Sequence, residues 1–254
     1  MSVALITGAS SGIGAELARE LARRGWSLAL LARRQELLDT LVAELRGKGT
    51  RAVAIMCDVG DKEAVHAAVR RAETELGPID MAIANAGISI PNHATKFKID
   101  DAEQTIRINV LGTMYLFDAV IPGMLERRRG QFAGVASVAG LRGLPTSGPY
   151  SASKSAMQSF LESSRIELHP YGIAVTIINP GFIRTEMTKK NTFPMPFLMN
   201  ADRAARLIAD RLERRARVIE FPWAMSVIMR TVRILPDALY DRLTGPFARR
   251  KKPL

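Results

Sequence analysis

Val3-Ala4-Leu5-Ile6-Thr7-Gly8-Ala9-Ser10-Ser11-Gly12-Ile13-Gly14 is the stretch that decides the fold. Its first part, Val3 to Thr7, is an uncharged apolar run of strand length, and Leu17, Leu21 and Trp26 follow with helical recurrence, Gly25 acting as a stop. Between strand and helix, the glycines leave the backbone bare. Amide groups at the positive end of the helix can then meet a phosphate. A dinucleotide is the expected guest, held by Gly8, Ser10, Ser11, Gly12, Ile13 and Gly14. The spacing is G-x-x-x-G-x-G, distinct from the commoner G-x-G-x-x-G.

The same strand-then-helix alternation continues outward. Ser27 to Ala32 reads as a second strand, Arg34 to Gly47 as a helix, Arg51 to Met56 as a third strand, and Asp61 to Leu76 as a helix capped by Asp61. Ile79 to Ala84 is a fourth strand that opens into Asn85-Ala86-Gly87. Asp100 to Glu126 follows as one long helix, with Ile106, Val110, Met114, Phe117 and Ile121 facing inward. Gln131 to Ala136, the helix Tyr150 to His169 and the strand Ile173 to Ile178 extend the set. Helix-length connections between strands require parallel pairing. The expected architecture is α/β, a doubly wound parallel sheet of about seven strands with helices on both faces and ligand at the carboxyl ends of the strands. No composition shift or linker interrupts residues 1–254, which read as one domain.

Three features carry chemistry. The second strand ends in Ala32-Arg33-Arg34, where dinucleotide folds often place an acidic residue for the ribose hydroxyls. Two arginines ahead of a helix N-terminus oppose the helix dipole, and a 2′-phosphate gives them a purpose; a solvated loop pair is the other reading. Asp58, left over once Asp61 caps its helix, is free for an adenine amino group. Tyr150 and Lys154 are i,i+4 neighbours on a helix whose expected inward stripe is Ala152, Ala156, Phe160, Ser164 and Leu168. An ammonium about 4 Å from a phenol favours the phenolate by about 4 kcal/mol at an effective dielectric near 20, which predicts a lowered Tyr150 pKa.

At 254 residues and 47% hydrophobic composition the chain can bury a full core. Its lone cysteine, Cys57, excludes an internal disulfide and reads as a small core residue of a protein in a reducing, cytoplasmic compartment. The start of the chain lacks the pattern of a signal peptide. The net charge of +11 concentrates at Arg127 to Arg129, at Arg211 to Arg217 and at Arg249 to Lys252. No zinc spacing or aromatic-interleaved basic stripe accompanies it, so no specific nucleic-acid partner is expected. His66, His93 and His169 lack ligand spacing, and no metal is expected.

Together these residues resemble the short-chain dehydrogenase/reductase family over roughly Val3 to Val218. Thr7 to Gly14 looks like its cofactor motif, Asp58-Val59 its adenine-contacting pair, and Asn85-Ala86-Gly87 its central-strand motif. Asn109, Ser137, Tyr150 and Lys154 fall in the order of its catalytic tetrad. Asn179-Pro180-Gly181-Phe182-Ile183-Arg184-Thr185 is similar to its nicotinamide-side segment. Two positions depart from the family pattern: Ala84 replaces a first Asn, and Ser11 stands where many NADP-using members are basic, which leaves cofactor choice to Arg33 and Arg34. The resemblance implies a Rossmann-like fold, NADP(H) preferred over NAD(H), and reduction of a ketone or aldehyde or oxidation of the matching alcohol. In that chemistry Tyr150 gives the proton, Ser137 orients the carbonyl, and Lys154 grips the nicotinamide ribose. Asn109 holds a water against Lys154, while Pro180, Gly181, Ile183 and Thr185 set the ring with its pro-S face toward substrate. A small-molecule carbonyl or alcohol substrate and a homo-dimer or homo-tetramer are implied. A non-catalytic nucleotide-binding protein that senses redox state is the alternative, disfavoured because Tyr150 and Lys154 are both kept.

The rest of the chain is less explicit. Residues 186–215 read as a mobile apolar substrate lid, rich in Met, Phe and Pro, and a helix Ala201 to Arg215. Such a lid suits an apolar or lipid-like substrate; an ordinary packed loop is equally consistent. Arg217 to Phe221 reads as a last strand. Residues 222–254 form an apolar and basic extension, too short and too interrupted by arginine to span a bilayer. It can lie on an anionic membrane face, pack on its own domain or join a partner subunit.

Overall fold

In the computed structural model, which describes residues 2–189, 191 and 193–249, the last three by backbone alone, the expected alternation is present. The strands are β1 (Val3–Thr7), β2 (Ser27–Ala32), β3 (Ala52–Met56), β4 (Met81–Ala84), β5 (Gly130–Val135), β6 (Ile173–Pro180), β7 (Ile183–Arg184), β8 (Met199–Asn200) and β9 (Val218–Phe221). The helices are α1 (Gly12–Arg23), α2 (Gln35–Arg46), α3 (Lys62–Leu76), α4 (Ile99–Ile106), α5 (Gly112–Glu126), α6 (Gly148–Leu168), α7 (Glu186–Lys189), α8 (Ala201–Glu213), α9 (Trp223–Ile234) and α10 (Asp237–Arg249).

Seven strands make one parallel sheet in the order β3-β2-β1-β4-β5-β6-β9, while β7 and β8 form a separate short pair. The order reverses at β1 and β4, so the carboxyl ends of these strands flank a crevice. Strands of such a sheet are buried on both faces, which is why β1 and β2 are apolar without alternation. Leu5 packs on the side of α3, α5 and α6, and Ala4 and Ile6 pack on the side of α1, α2 and α8. Asp61 caps α3 as expected, its Oδ1 accepting from the Ala64 amide at 2.9 Å. Cys57 is a buried core residue whose thiol is pushed up to about 11 by burial.

Two expectations are corrected. The long helix is not continuous: a π turn, Arg107–Leu111, separates α4 from α5. The widened turn rotates the chain relative to a regular helix, so Ala102 and Thr105 face inward before it while Ile106 faces out. The inward stripe of α6 is Ser153 and Lys154, then Met157, Leu161, Ser164 and Leu168, whereas Ala152 and Ala156 are exposed. Helix Ile99–Glu126 is long and apolar enough to cross a membrane, but half of its most apolar window is buried; α5 lies against α3 and the sheet.

The extension reaches back onto the domain. Met225 and Met229 of α9 join Val138, Leu141, Leu144 and Phe182 in a small apolar cluster. Arg142 donates to the Arg233 carbonyl at 3.1 Å, pairs with Asp237 at 2.6 Å and lies 4.5 Å over the Tyr240 ring, whose hydroxyl donates to the Gly143 carbonyl. Trp223, Val227, Ile228 and Ile234 remain exposed on the other face of α9. The basic residues Arg250, Lys251 and Lys252 lie outside the described residues, as do Lys190 and Thr192 in the lid region.

Candidate active site

Thr7, at the end of β1, ties the crevice together. Its Oγ1 accepts from the amides of Asn85 and Ala86 at 3.0 and 3.1 Å. The Asn85 side chain answers by donating to the Thr7 and Gly8 carbonyls at 2.9 and 3.2 Å. Asn85 therefore holds the glycine-rich turn in place with its amide, a structural task beyond the ligand contact expected from the sequence. The turn closes so tightly that a Cβ at Gly14 would lie 2.5 Å from both Asn85 Nδ2 and the Gly8 carbonyl. Gly12, at φ +58°, is covered by the Thr185 methyl, which a Cβ would meet at 3.1 Å.

Helix α1 begins beyond Ser11 with no side-chain cap and no acidic residue in its first turn. Its N-terminal amides are left to an outside acceptor, as an anion at a helix N-terminus requires. Arg34 adds a cation: Nε and Nη2 donate to Ser10 Oγ at 3.2 and 3.0 Å, Nη2 to Ser11 Oγ at 2.6 Å, and Nη1 pairs with Glu186 at 2.8 Å. Arg33 turns the other way, 4.0 Å from Asp58 Oδ2. Asp58 Oδ1 accepts from the Gly60 amide at 2.9 Å, leaving Oδ2 toward solvent and Arg33. Val59 is buried against Gly112, so only its backbone is available to a ligand. Bare amides, two serine hydroxyls and the Arg34 guanidinium fit a dinucleotide phosphate, and Arg33 with Asp58 lies beside them.

Across the crevice, Ser137 follows β5. Its Oγ accepts from the Ala139 amide at 3.1 Å and reaches the Pro180 carbonyl at 3.4 Å. Tyr150 is half-buried on the first turn of α6. Burial pushes its phenol above the ordinary value, and a hydrogen bond with the Ser137 side chain opposes that rise. The pair expected from the spacing is not formed: Lys154 Nζ lies 5.8 Å from the Tyr150 ring centre and donates instead to the Val135 carbonyl at 2.8 Å. Full burial pushes Lys154 down to about 7. The sequence predicts a lowered Tyr150 pKa; desolvation of both groups reverses that prediction.

Asn109 lies in the π turn and is fully buried. Its Oδ1 accepts from the Ile88 amide at 2.8 Å, and its Nδ2 donates to the Ile88 carbonyl at 3.0 Å and to Ser153 Oγ at 2.9 Å. Ser153 in turn donates to the Tyr150 carbonyl at 2.7 Å. A Cβ at Gly87 would stand 3.2 Å from Asn109 Oδ1 and 3.4 Å from Lys154 Nζ, so both polar atoms border the space that glycine leaves.

On the far rim, the Gly181 amide donates to the Phe221 carbonyl at 2.7 Å and Ile183 is buried. Thr188 Oγ1 accepts from the Thr185 amide at 2.9 Å and donates to the Ile183 carbonyl at 2.6 Å, closing the turn into α7. Sequence reasoning passed over Ser153 and Gln158. Gln158 Nε2 donates to the Ser137 carbonyl at 2.8 Å and to Asn179 Oδ1 at 2.9 Å, joining the two strand ends that flank Tyr150. Its signal was its place four residues after Lys154 on the same helix face. Among the described residues no group of acidic, histidine and cysteine side chains is arranged to hold a metal.

The profile of the family described as short chain dehydrogenase matches residues 2–194. An uncharacterized oxidoreductase of Myxococcus xanthus is 39% identical over 238 residues, covering 94% of each chain. An actinorhodin polyketide ketoreductase solved with NADPH superposes with a TM-score of 0.82 at 27% identity, over 89% of this chain and 97% of that one. A short-chain dehydrogenase/reductase from Burkholderia phymatum solved with NAD gives 0.85 at 23% identity, over 100% and 97%, a likeness of fold.

Proposed function

The chain belongs to the short-chain dehydrogenase/reductase family of oxidoreductases, and on that footing we propose that it reduces a ketone or aldehyde at the expense of NADPH. The observation that carries this reading is the Tyr150 phenol, kept protonated by burial with the Ser137 hydroxyl beside it. A phenol that stays protonated at neutral pH is set to give its proton to a carbonyl oxygen that gains charge, and a hydroxyl next to it orients that oxygen.

When bound, nicotinamide supplies the hydride. Tyr150 delivers the proton, Ser137 fixes the carbonyl, and Lys154, tethered to Val135, supports the ribose side while exchanging protons near neutrality. Asn109 fixes the first turn of α6 through Ser153 and borders the space beside Lys154 through which a proton is replaced. Gly8, Ser10, Ser11, Gly12, Ile13 and Gly14 receive the pyrophosphate, Arg33 and Arg34 the 2′-phosphate, and Asp58 with the Val59 backbone the adenine. Asn85, Ala86 and Gly87 shape the floor, and Pro180, Gly181, Ile183 and Thr185 hold the nicotinamide.

Residues 1–254 act as one nucleotide-binding domain, with 186–215 as the substrate cover and 222–254 as an extension. Met187, Phe193 and Phe197 are exposed on the cover, with Phe193 edge-on to Phe182 at 5.9 Å, which supports an apolar or lipid-like substrate. Exposed Leu111 and Ile166 on the helices flanking the site support self-association as a dimer or tetramer. The exposed Trp223, Val227 and Ile234 stripe supports contact with an anionic membrane face from a cytoplasmic position. The deciding experiment follows NADPH consumption against carbonyls graded by size and chain length. Turnover that rises with apolar size supports the reading, and absence of turnover with every carbonyl returns the chain to a nucleotide-binding role without chemistry.

A further inference from the structure

Arg34 holds three partners, and they are not equivalent. Ser10 and Ser11 offer neutral hydroxyls, while Glu186 brings the only full negative charge among the described contacts of this guanidinium. Glu186 also has its ordinary acidity strengthened by Arg34 and, less strongly, by Ser11. Its position in the chain matters as much as its charge. Glu186 is the first residue of α7 and follows Thr185, whose methyl lies over Gly12 at the phosphate turn. An anion carried by the substrate cover therefore occupies the cation at the edge of the cofactor crevice.

We propose that Glu186 is an internal competitor for the 2′-phosphate subsite, taking the Arg34 guanidinium when that phosphate is absent and yielding it when the phosphate arrives. The inference rests on the NADP(H) reading and adds a residue that sets cofactor discrimination from outside the nucleotide motif. A 2′-phosphate has nearly twice the charge of a carboxylate and three acceptor oxygens, so it matches the planar fork of Arg34 better. The Arg34–Glu186 pair is solvent-exposed at 47% and 58% of its two side chains, and exposed pairs of this kind are weak enough to be exchanged. Ser10 and Ser11, already on the same guanidinium, keep it aimed at the crevice during the exchange. Glu186 thus lowers phosphate affinity twice, by occupying the fork and by repelling the incoming charge. Because the same residue opens α7, filling the subsite also removes the ion pair that ties this end of the cover to the start of α2.

The test is calorimetric titration of the full chain with adenosine 2′,5′-bisphosphate and with adenosine 5′-monophosphate, probes that differ only in the 2′-phosphate. Glu186→Gln should bind the bisphosphate about two- to fivefold more tightly while its affinity for the monophosphate stays unchanged. Arg34→Ala should bring the bisphosphate down toward the monophosphate, and adding Glu186→Gln to Arg34→Ala should then gain less than it gains in the wild-type chain, since only the direct repulsion is left to remove. Discrimination by the wild-type chain that Glu186→Gln leaves unaltered, or a gain equal for both probes, overturns the inference and spares the NADP(H) reading. Failure of both the wild-type chain and Glu186→Gln to distinguish the probes overturns the NADP(H) reading itself.

Discussion

Lys154 Nζ and the Val135 carbonyl are 2.8 Å apart, a bond from α6 to the last residue of β5. It anchors the amine to the strand that leads into Ser137, and Met157 Sδ at 3.5 Å is its other, weaker acceptor. Among the described residues no carboxylate pairs with the amine, and burial lowers its pKa to about 7.

That burial predicts how stability responds to pH. Between about 7, the folded value, and 10.5, the ordinary one, the unfolded chain binds a proton that the folded chain does not. The contribution of Lys154 to stability therefore rises with pH across this window, with a slope of at most about 1.4 kcal/mol per pH unit. Below the window both states carry the proton and the full cost of burying the charge is felt. Lys154→Met should accordingly gain most over wild type near pH 6 and lose that advantage by pH 10, read from urea midpoints at each pH. A difference independent of pH would contradict the assigned burial of the charge.

Removing the Tyr150 hydroxyl tests the proton donor. Tyr150→Phe should lower kcat for carbonyl reduction by about 10²- to 10⁴-fold while NADPH affinity, followed by fluorescence, stays at the wild-type level. Near-normal turnover would sink the mechanism.

The direction of the chemistry has its own pH signature. A phenol pushed upward serves as an acid throughout the neutral range, but it must ionise to accept a proton from an alcohol. Reduction should vary little between pH 6 and 8, and oxidation should climb steadily toward alkaline pH. Initial rates in both directions on one substrate pair would decide it, with an oxidation rate that plateaus below pH 7 as the contrary result.

Gly140 tests the contact between the Ser137 turn and α6. A Cβ there would meet the Lys154 carbonyl carbon at 2.7 Å and the Ser155 nitrogen at 2.8 Å, both backbone atoms that cannot rotate away. Gly140→Ala should destabilise the chain by about 1–3 kcal/mol in thermal or urea unfolding and lower kcat by separating Ser137 from Tyr150. A stable and fully active variant would show that the turn tolerates displacement.

The extension is tested with vesicles. Full-length chain should co-sediment with anionic liposomes, and a chain ending at Pro222 should not, with the difference falling as salt rises. Equal pelleting of the two would remove the membrane reading and leave the exposed stripe of α9 to another partner.

Much of this arrangement was legible because strands buried on both faces advertise themselves as unbroken apolar runs, and because Asp61 and the glycine turn mark helix starts by their chemistry. The reading failed where polar side chains occupy the interior. Ser153 and Lys154 point inward on α6, and the small apolar Ala152 and Ala156 next to them mimic a buried stripe while facing out. Hydrophobic periodicity cannot find a buried lysine whose reason for burial is a carbonyl on another strand. The Arg142–Asp237 and Arg34–Glu186 pairs join positions 95 and 152 residues apart, and nothing local announces them. Of the site, the residue types and their order were readable; their hydrogen-bond partners were not.

The π turn at Arg107–Leu111 has a consequence for the length of the chain as well as its shape. Each helical residue advances the azimuth by about 100°. A turn closed by i→i+5 hydrogen bonds holds one residue more than an α turn, so deleting a single amino acid there would restore the regular helix, keep Leu116, Val120 and Met124 on the inward side of α5, and cost Asn109 its bonds to Ile88 and Ser153. The spare residue between Ile106 and Gly112 lets the chain aim Asn109 at Ile88 and Ser153 without disturbing the face that α5 buries.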